Sequence, residues 1–391
     1  MHQRATKSVG AAVAVAAAVV LTGITPAQAA EGVVLGTADA NAIKDSYIVV
    51  LKDSAKNANS GDLARRYSGT VERVYGQNLS GFSVHVDATH AKRLAADNSV
   101  AFVEQDKIVR TEAVQQNPPS WGLDRVDQRN LPLDSTYNYA STASNVNVYV
   151  LDTGIRATHQ TFGGRVHQGY DFIDNDTNAD DGYGHGTHVA ATIAGAQYGV
   201  AKGAQLYPVR VLGSDGSGTT SGVIAGVNWI TSNAQKPAVA NASLGGGVST
   251  ALDTAVRNSI NSGVTWTVAA GNSNLNASTS SPARVAEAIT VAAADKTDTR
   301  ASFSNYGAGV DLFAPGVSIT SAWNTNDTAT YTGNGTSFAA PHVAGAAALY
   351  LSGQPTATTA QVAQALIAAS TPNLVTNPGT GTPNRTLYIA P

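Results

Sequence analysis

The sequence has 391 residues, of which 43 % are hydrophobic and only 13 % are charged, so the chain can bury a large apolar core and lacks the composition of a disordered protein. A formal net charge of −3 provides no basic surface for nucleic acid or anionic lipid. Cysteine is absent, which excludes disulfides, thiolate metal ligands and a cysteine nucleophile.

The first 29 residues have the pattern of a secretion signal. Arg4 and Lys7 precede an apolar run at 9–21, and the small residues Ala27 and Ala29 flank Gln28 as in a signal-peptidase site. The apolar run is too short to span a bilayer comfortably. We therefore predict export with cleavage after Ala29, the alternative being a retained membrane anchor.

Residues 30–113 are predicted to form a small charged module with a ferredoxin-like α+β core at 46–111. The order is strand, helix, strand, strand, helix, strand, at residues 47–51, 62–67, 70–75, 82–86, 89–97 and 100–109. This is the split βαβ arrangement. A module of this size would be only marginally stable alone, which suits a segment that works docked to something larger. The polar, proline-containing stretch 115–119 follows and marks a boundary near Ala113.

From residue 114 onward, apolar strand-like runs alternate with helical patterns. The runs lie at 146–151, 205–212, 238–244, 264–270 and 288–294, with helices between them such as 221–234 and 250–261. Such alternation predicts an α/β domain, in which helices flank a doubly wound parallel sheet. Chemistry in these sheets is expected just beyond the carboxyl ends of the strands.

Four polar residues stand at predicted strand or helix ends. Asp152 ends the first strand of this domain, His185 precedes an apolar helix between two glycines, Asn272 ends another strand, and Ser337 opens a helix. A hydrolytic serine needs an imidazole base, the imidazole needs a carboxylate, and an amide can stabilise the oxyanion. Each alone has a structural interpretation, such as a helix cap or a turn. Together they indicate nucleophilic hydrolysis.

Three blocks of sequence around these residues resemble the signatures of subtilisin-like serine proteases. They are Asp152-Thr153-Gly154, the stretch 184–190 and Gly335-Thr336-Ser337, while 121–125 and 243–247 are similar to the proteinase K and aqualysin branch. The likeness runs from 114 to the C-terminus, and 46–113 resembles the inhibitory propeptide of that family. It implies Asp152 as orienting carboxylate, His185 as general base and acid, Ser337 as nucleophile, and Asn272 with the Ser337 amide as oxyanion hole.

The same resemblance implies how a polypeptide substrate is held. It assigns two backbone segments that flank an extended peptide, and a primary pocket. No acidic residue lies in these segments, so we expect apolar or aromatic residues before the scissile bond; the alternative is that the glycines merely form turns. The implied substrate-binding residues are Gly216, Ser217, Gly218, Ser243, Leu244, Gly245, Ala269, Ala270 and Gly271.

An aspartate-rich stretch, 171–181, contains five carboxylates and no cation, which is typical either of a solvated loop or of a site for a hard cation. Similarity to calcium-binding members of the branch implies at least one structural calcium site. The implied ligands form three sets: Asp171, Asp176 and Asn178; Asp124, Asp127, Gln128, Asp134 and Thr136; and Asp311 with the carbonyls of Ala286 and Ala288.

The sequence therefore predicts a secreted, monomeric serine endopeptidase made as a precursor, with its own propeptide as inhibitor and protein or peptide substrates. One alternative is a zinc hydrolase that uses His185 and His188, although no HExxH motif supports it. Another is a secreted binding protein that keeps the fold without turnover, since fold alone does not guarantee activity.

Overall fold

The computed structural model describes residues 30–39, 42–76, 79–107 and 113–390. The predicted signal segment, 1–29, lies outside these residues. None of the helices in the described ranges combines the length and apolar character needed to cross a membrane. The chain divides into two compact units between Arg110 and Thr111.

The first unit is a five-stranded sheet with two helices. Its elements are β1 (Val34–Leu35), β2 (Ala42–Leu51), α1 (Ser60–Arg66), β3 (Thr70–Tyr75), β4 (Gly81–His85), α2 (Ala88–Ala95) and β5 (Val100–Lys107). The strand order is β1-β5-β2-β4-β3. The predicted succession of strands and helices is therefore present, and β1, which pairs in parallel with β5, was not predicted.

Local sequence explains the helices of this unit. Asn59 caps α1 and Asp87 caps α2, each accepting two backbone N–H groups that have no partner inside the helix. The two helices bury Leu63 and Leu94, which pack with Val49 of β2 into a single small core.

The second unit contains thirteen described strands: β6 (Ala113–Gln116), β7 (Thr136–Tyr139), β8 (Asn147–Asp152), β9 (Tyr170–Asp171), β10 (Gln205–Arg210), β11 (Ala238–Ala242), β12 (Thr265–Ala269), β13 (Ile289–Ala294), β14 (Leu312–Pro315), β15 (Ile319–Ala322), β16 (Thr330–Gly333), β17 (Thr371–Pro372) and β18 (Arg385–Thr386). Nine of them form one sheet in the order β17-β18-β14-β13-β12-β11-β8-β10-β9, parallel except for the pair β17–β18. The antiparallel pair β6–β7 and the hairpin β15–β16 are separate from this sheet.

Helices cover both faces of this sheet. They are α3 (Trp121–Val126), α4 (His185–Ala194), α5 (Thr220–Asn233), α6 (Thr250–Asn261), α7 (Thr336–Gly353) and α8 (Thr359–Ala369). Because successive strand residues point to opposite faces, Val148 and Val150 of β8 join the core that contains α4 and α7, whereas Tyr149 and Leu151 join the core under α5 and α6. Burial on both sides explains the nearly continuous apolar runs and confirms the predicted α/β class.

The strand order reverses at β8, which lies between β10 on one side and β11 on the other. A crevice opens at such a point beyond the carboxyl ends of the strands. Asp152 is the last residue of β8 and therefore lies at this crevice.

A buried ion pair ties α3 to the loop after β13. Arg125 is 1 % exposed and donates to both carboxylate oxygens of Asp298, at 2.8 and 3.0 Å. Breaking such a pair leaves a buried charge without its partner, which costs far more than losing a surface pair.

We predict that Arg125→Ala lowers the free energy of unfolding by about 3–5 kcal/mol, measured by chemical denaturation, because Asp298 is left buried and uncompensated. Arg257→Ala is the matched control, since the Arg257–Glu287 pair is more than two-fifths exposed on each side. Its cost should not exceed about 1 kcal/mol. Equal costs for the two variants would contradict the prediction.

Candidate active site

Asp152 and His185 are joined directly at the crevice. His185 Nδ1 lies 2.7 Å from Asp152 Oδ1, and the N–H of Thr153 donates to the same oxygen at 2.8 Å. Asp152 is completely buried, whereas the His185 side chain is 18 % exposed. The contact to Nδ1 leaves Nε2 as the ring nitrogen available for proton transfer.

The two glycines beside His185 are required by close contacts on different sides. Gly184 has φ +118°, and a Cβ there would lie 2.2 Å from the Trp323 ring. A Cβ on Gly186 would lie 2.1 Å from the carbonyl oxygen of Gly154, just after β8. A larger residue at 186 would therefore push α4 away from Asp152, and one at 184 would collide with Trp323.

Opposing influences act on the His185 imidazole. Burial lowers its pKa, but the negative charge of Asp152, the hydrogen bond to it and the charge of Asp181 outweigh burial, so that the pKa is raised above its usual value. The imidazolium form is thus stabilised, as a base that must hold a proton during catalysis requires.

Ser337 is the second residue of α7, at a helix start that favours negative charge. Its carbonyl accepts from Ser243 Oγ at 2.7 Å, which connects the helix to the segment after β11. Pro341 has no N–H to donate to that carbonyl. The ring of Phe338, the next residue, lies tilted against the His185 imidazole with the ring centres 5.4 Å apart, so α7 brings serine and imidazole to the same crevice. Within the described residues, no hydrogen bond joins Ser337 Oγ to His185 Nε2, a contact that often tightens only with substrate.

Asn272 follows β12 and has its side-chain amide fixed in one orientation. Its Oδ1 accepts from the N–H of Thr336 at 2.8 Å and from Thr336 Oγ1 at 2.9 Å. The nitrogen Nδ2 is thereby directed toward Gly335, where a Cβ would lie 3.7 Å away. Thr336 was not assigned a role from the sequence, and only its position beside Ser337 hinted at one.

Two adjoining cavities form a cleft at this site. One, of about 500 Å³, is lined by His185, the segment 215–220 and the segment 243–247. The other, of about 370 Å³, shares 243–247 and includes Ala269, Gly271, Asn272 and Ser337, with no charged side chain in its lining. Asp215 lies at the exposed margin of the first cavity and was not anticipated.

Some backbone groups of the segment 216–218 are already hydrogen-bonded within their own turn. Ser217 N donates to Asp215 Oδ1, and its carbonyl accepts from Gly213 N. Among the described residues, Gly218 N and the carbonyl of Gly216 have no such internal partner. These two glycines are therefore placed to pair with an added strand.

Ala270 is a correction to the predicted pocket. Its side chain is fully buried with Ala292 and Phe313, its N–H donates to Val291, and its carbonyl accepts from Asn305 Nδ2. Because successive residues of an extended chain point in opposite directions, Ala269 and Gly271 line the cavity while Ala270 supports it from behind.

The predicted calcium ligands fall into unequal environments. Among the residues that the structure describes, no three His, Asp or Glu side chains form a ready metal site. Asp171 is poorly suited, since Oδ1 accepts from Ile173 and Asp174 and Oδ2 pairs with Arg210 at 2.7 Å. Asp176, whose Oδ1 accepts from Asn178 N, is exposed.

Asp311 stands apart from the other predicted ligands. Burial raises its pKa to about 6, and its Oδ2 accepts from the N–H of Thr290. Ala286 and Ala288, whose carbonyls complete this predicted set, precede β13.

The loop from α3 to β7 holds the remaining set in one polar cluster. Asp124 accepts from the N–H groups of Asp134 and Ser135, and Asp134 accepts from Thr136 Oγ1. Asp127 Oδ2 accepts twice from Asn138, whereas its buried Oδ1 has no partner. Burial and the nearby charge of Asp134 raise the pKa values of both Asp124 and Asp127.

Gln128 is the least suited member of this loop to hold a metal. Its side-chain amide nitrogen donates to the carbonyls of Asn130 and Pro132 and so closes the loop from within.

His188 is excluded from a metal site open to substrate. It is fully buried, its Nε2 contacts the carbonyl of Ile319 at 3.1 Å, and burial lowers its pKa to about 3. The buried position of His188 therefore argues against the zinc alternative, which needed both His185 and His188 as ligands.

Comparison with known proteins gives a consistent result. The profile described as the subtilase family matches residues 143–386, and that of peptidase inhibitor I9 matches residues 46–112. An extracellular serine proteinase of Thermus sp. (strain Rt41A) is 59 % identical, covering 81 % of this chain and 77 % of that protein. An alkaline serine exoprotease A of Vibrio alginolyticus is 46 % identical, covering 89 % and 68 %. The crystal structure of a cold-adapted subtilisin-like serine proteinase matches with TM-score 0.68 and 54 % identity, covering 69 % of this chain and 98 % of that one.

We predict that Asp152→Asn lowers the pKa of His185, followed by NMR titration of the imidazole, because the negative charge that raises this pKa is lost and any remaining hydrogen bond is made to a neutral amide. Asp215→Asn, at the exposed margin of the cleft, is the matched control and should leave the titration of His185 unchanged. A His185 pKa that is the same in the Asp152→Asn variant would refute the arrangement described here.

Proposed function

Since the chain belongs to the subtilase family and is a serine proteinase with an I9 inhibitor domain, we propose that it cleaves extended polypeptides internally through Asp152, His185, Ser337 and Asn272. The observation that carries this proposal is the contact between Asp152 and His185, beside the helix whose second residue is Ser337. A binding protein without turnover, the alternative, would not need an imidazole paired with a buried carboxylate.

The reaction proposed is acyl transfer to Ser337. Its Oγ attacks the carbonyl carbon of the scissile bond while His185 Nε2 takes the hydroxyl proton. His185 then gives that proton to the departing amine, which leaves an acyl-enzyme. Water attacks the ester with His185 again as base, and the acid product and free Ser337 are formed. Asp152 remains ionised throughout and stabilises the imidazolium.

The oxyanion formed in each half of the reaction requires fixed donors. Asn272 Nδ2 and the Ser337 N–H are proposed for this role. The support is that Thr336 holds Asn272 Oδ1 from two sides, so the amide needs no reorganisation when charge develops. A donor of this kind contributes about 10²–10³-fold to turnover.

We propose that the substrate lies as an added strand between the segments 216–218 and 243–245, with an apolar or aromatic residue before the scissile bond. Support comes from the uncharged lining of the second cavity and from the glycine backbone groups without internal partners. Strand addition reads mainly the substrate backbone, which suits broad specificity.

Maturation is proposed to follow the domain order. Residues 1–29 would direct secretion and be removed after Ala29, and residues 30–113 would inhibit the enzyme until cleavage near Ala113–Val114. The presence of an I9 domain supports the inhibitory role. The mature enzyme, residues 114–391, is proposed to act outside the cell as a monomer, without nucleic acid or membrane partners.

Calcium is proposed to bind at the loop between α3 and β7. Two observations support this site: Asp127 Oδ1 is unpartnered, and burial and the charge of Asp134 raise the pKa values of Asp124 and Asp127, so a hard cation would satisfy the oxygen and offset the charge. Bound there, the ion would hold the loop and take no part in the reaction. The Asp171 set is not included, because Arg210 already neutralises that carboxylate. The Asp311 set stays a prediction.

We predict that Ser337→Ala leaves the precursor uncut and lowers peptidase activity by about 10⁶-fold, since the attacking oxygen is lost. Processing is read by mass spectrometry of the N-terminus and activity by digestion of a peptide library. A sulfonyl fluoride should label the wild-type serine and abolish activity.

Ser232→Ala, at an exposed position of α5, is the control and should mature normally. Full maturation of the Ser337→Ala precursor in the absence of other proteases would show that Ser337 is not the nucleophile that cuts it. A wild-type chain that is neither labelled nor active would favour the non-catalytic alternative.

We predict that saturating calcium raises the melting temperature by about 5–10 °C relative to a chelated sample. Calcium at a hundredfold excess over Kd stabilises the folded state by about 2.7 kcal/mol, and each kcal/mol raises the melting temperature of a domain of this size by about 2–4 °C. Asp127→Asn should abolish most of this shift, since it removes the negative charge of the proposed calcium ligand and replaces one of its two oxygens with an NH2 group. Scanning calorimetry is the measurement.

Asp176→Asn is the matched control for calcium, because it alters an exposed carboxylate of the Asp171 set, where no calcium site is proposed. It should retain the shift. Loss of the shift in Asp176→Asn but not in Asp127→Asn would place the ion at the loop that carries Asp171, Asp176 and Asn178.

A further inference from the structure

Asp181 belongs to the aspartate-rich stretch, but its surroundings differ from those of the other members. It is 6 % exposed and accepts five hydrogen bonds, although no cation contacts it among the described residues. The donors to Oδ1 are Thr153 Oγ1 and the N–H groups of Tyr183 and Gly184; the donors to Oδ2 are the N–H and Oγ1 of Thr187.

These contacts require Asp181 to be ionised. The three backbone groups can only donate, and the Thr153 hydroxyl accepts from Gly186 N, so its proton is directed to Asp181. Asp181 therefore has five donors and no acceptor around it, and a protonated carboxyl would have no group to receive its hydrogen. A fixed negative charge consequently lies at the start of α4.

The same contacts connect the two elements that carry Asp152 and His185. Thr153 donates its N–H to Asp152 and its hydroxyl to Asp181, while Gly186, the residue after His185, donates to that hydroxyl. Thr187 in the first turn of α4 is held by the other oxygen. Asp181 thus links the end of β8 to the start of α4.

We propose that Asp181 is a positioning residue for catalysis, which sets the distance between Asp152 and His185 and stabilises the imidazolium formed in the reaction. This inference rests on the proposed function, since a residue of this kind acts only through a working Asp152–His185–Ser337 set. Its carboxylate does not contact substrate. A misplacement of catalytic groups by about 1 Å can cost about a hundredfold in rate.

Asp152 and Asp181 are the negative charges that raise the pKa of His185, and the other side chains packed nearby are neutral or already paired. Burial keeps the pKa of His188, in the same helix, near 3 and that of His342, in α7, near 4, so both are neutral. Phe338, Trp323 and Tyr331, from α7 and the hairpin β15–β16, are uncharged aromatics around His188. Arg156 is paired with Asp327.

The test compares Asp181→Asn with Asp180→Asn, which removes an exposed carboxylate one residue away. In Asp181→Asn we expect kcat for a short peptide to fall about 10–100-fold with little change in KM. The acid limb of the kcat/KM profile should move to lower pH, because a charge that raises the pKa of His185 is gone. Asp180→Asn should match the wild type.

Thr153→Val separates position from charge, because it breaks the connection to Gly186 and leaves the carboxylate in place. We expect a lower kcat with an unmoved acid limb. Asp181→Asn could accumulate only as unprocessed precursor, in which case its kcat could not be measured. Thr153→Val is then the test, and a folded Thr153→Val enzyme with wild-type kcat would overturn the proposal.

Two other results would overturn the inference: wild-type kcat and pH profile in Asp181→Asn, or a fall in kcat with the acid limb unmoved, which would make the role purely structural. Failure of the proposed function is distinguishable from these. It would appear as full activity in Ser337→Ala, whereas an inactive Ser337→Ala beside an unaltered Asp181→Asn rejects the positioning role alone.

Discussion

The hydrogen bond between Asp152 and His185 is the interaction on which the active site depends. Asp152 is wholly buried, so its charge can be stabilised only by donors that the fold supplies, and these are the Thr153 N–H and the imidazole. The bond fixes which ring nitrogen faces the cleft. It can form only because β8 ends where the strand order reverses and because the glycine at 186 admits α4 so closely.

The long helix α7 supplies the other half of the site as one rigid body. It is buried almost all round, and its first two residues, Thr336 and Ser337, serve different purposes. Thr336 holds Asn272, while Ser337 is the proposed nucleophile. Because adjacent residues of one helix hold both groups, the distance between nucleophile and oxyanion donor is set by backbone geometry instead of by flexible side chains.

Much of the fold followed from local pattern. The strands of the second unit are apolar on both faces because helices cover both, and this produced the continuous runs that predicted a parallel sheet. The short strands β1, β6, β7, β9 and β14 to β18 were missed, since two to four residues carry too little periodicity to distinguish a strand from a loop. Ala270 was misplaced because neighbouring small residues look alike in sequence, although the structure directs them to opposite sides.

The sequence by itself determined the class of fold, the two-part organisation and the candidate triad, because each depends on residue spacing along a short stretch of chain. It could not decide what the clustered aspartates do: Asp171 is neutralised by Arg210, Asp127 retains an unpartnered oxygen, and Asp181 collects five donors at the start of α4. Only the tertiary structure distinguishes these three roles. A carboxylate's role is set by the partners around it, and those partners arrive from chain segments whose approach local sequence does not specify.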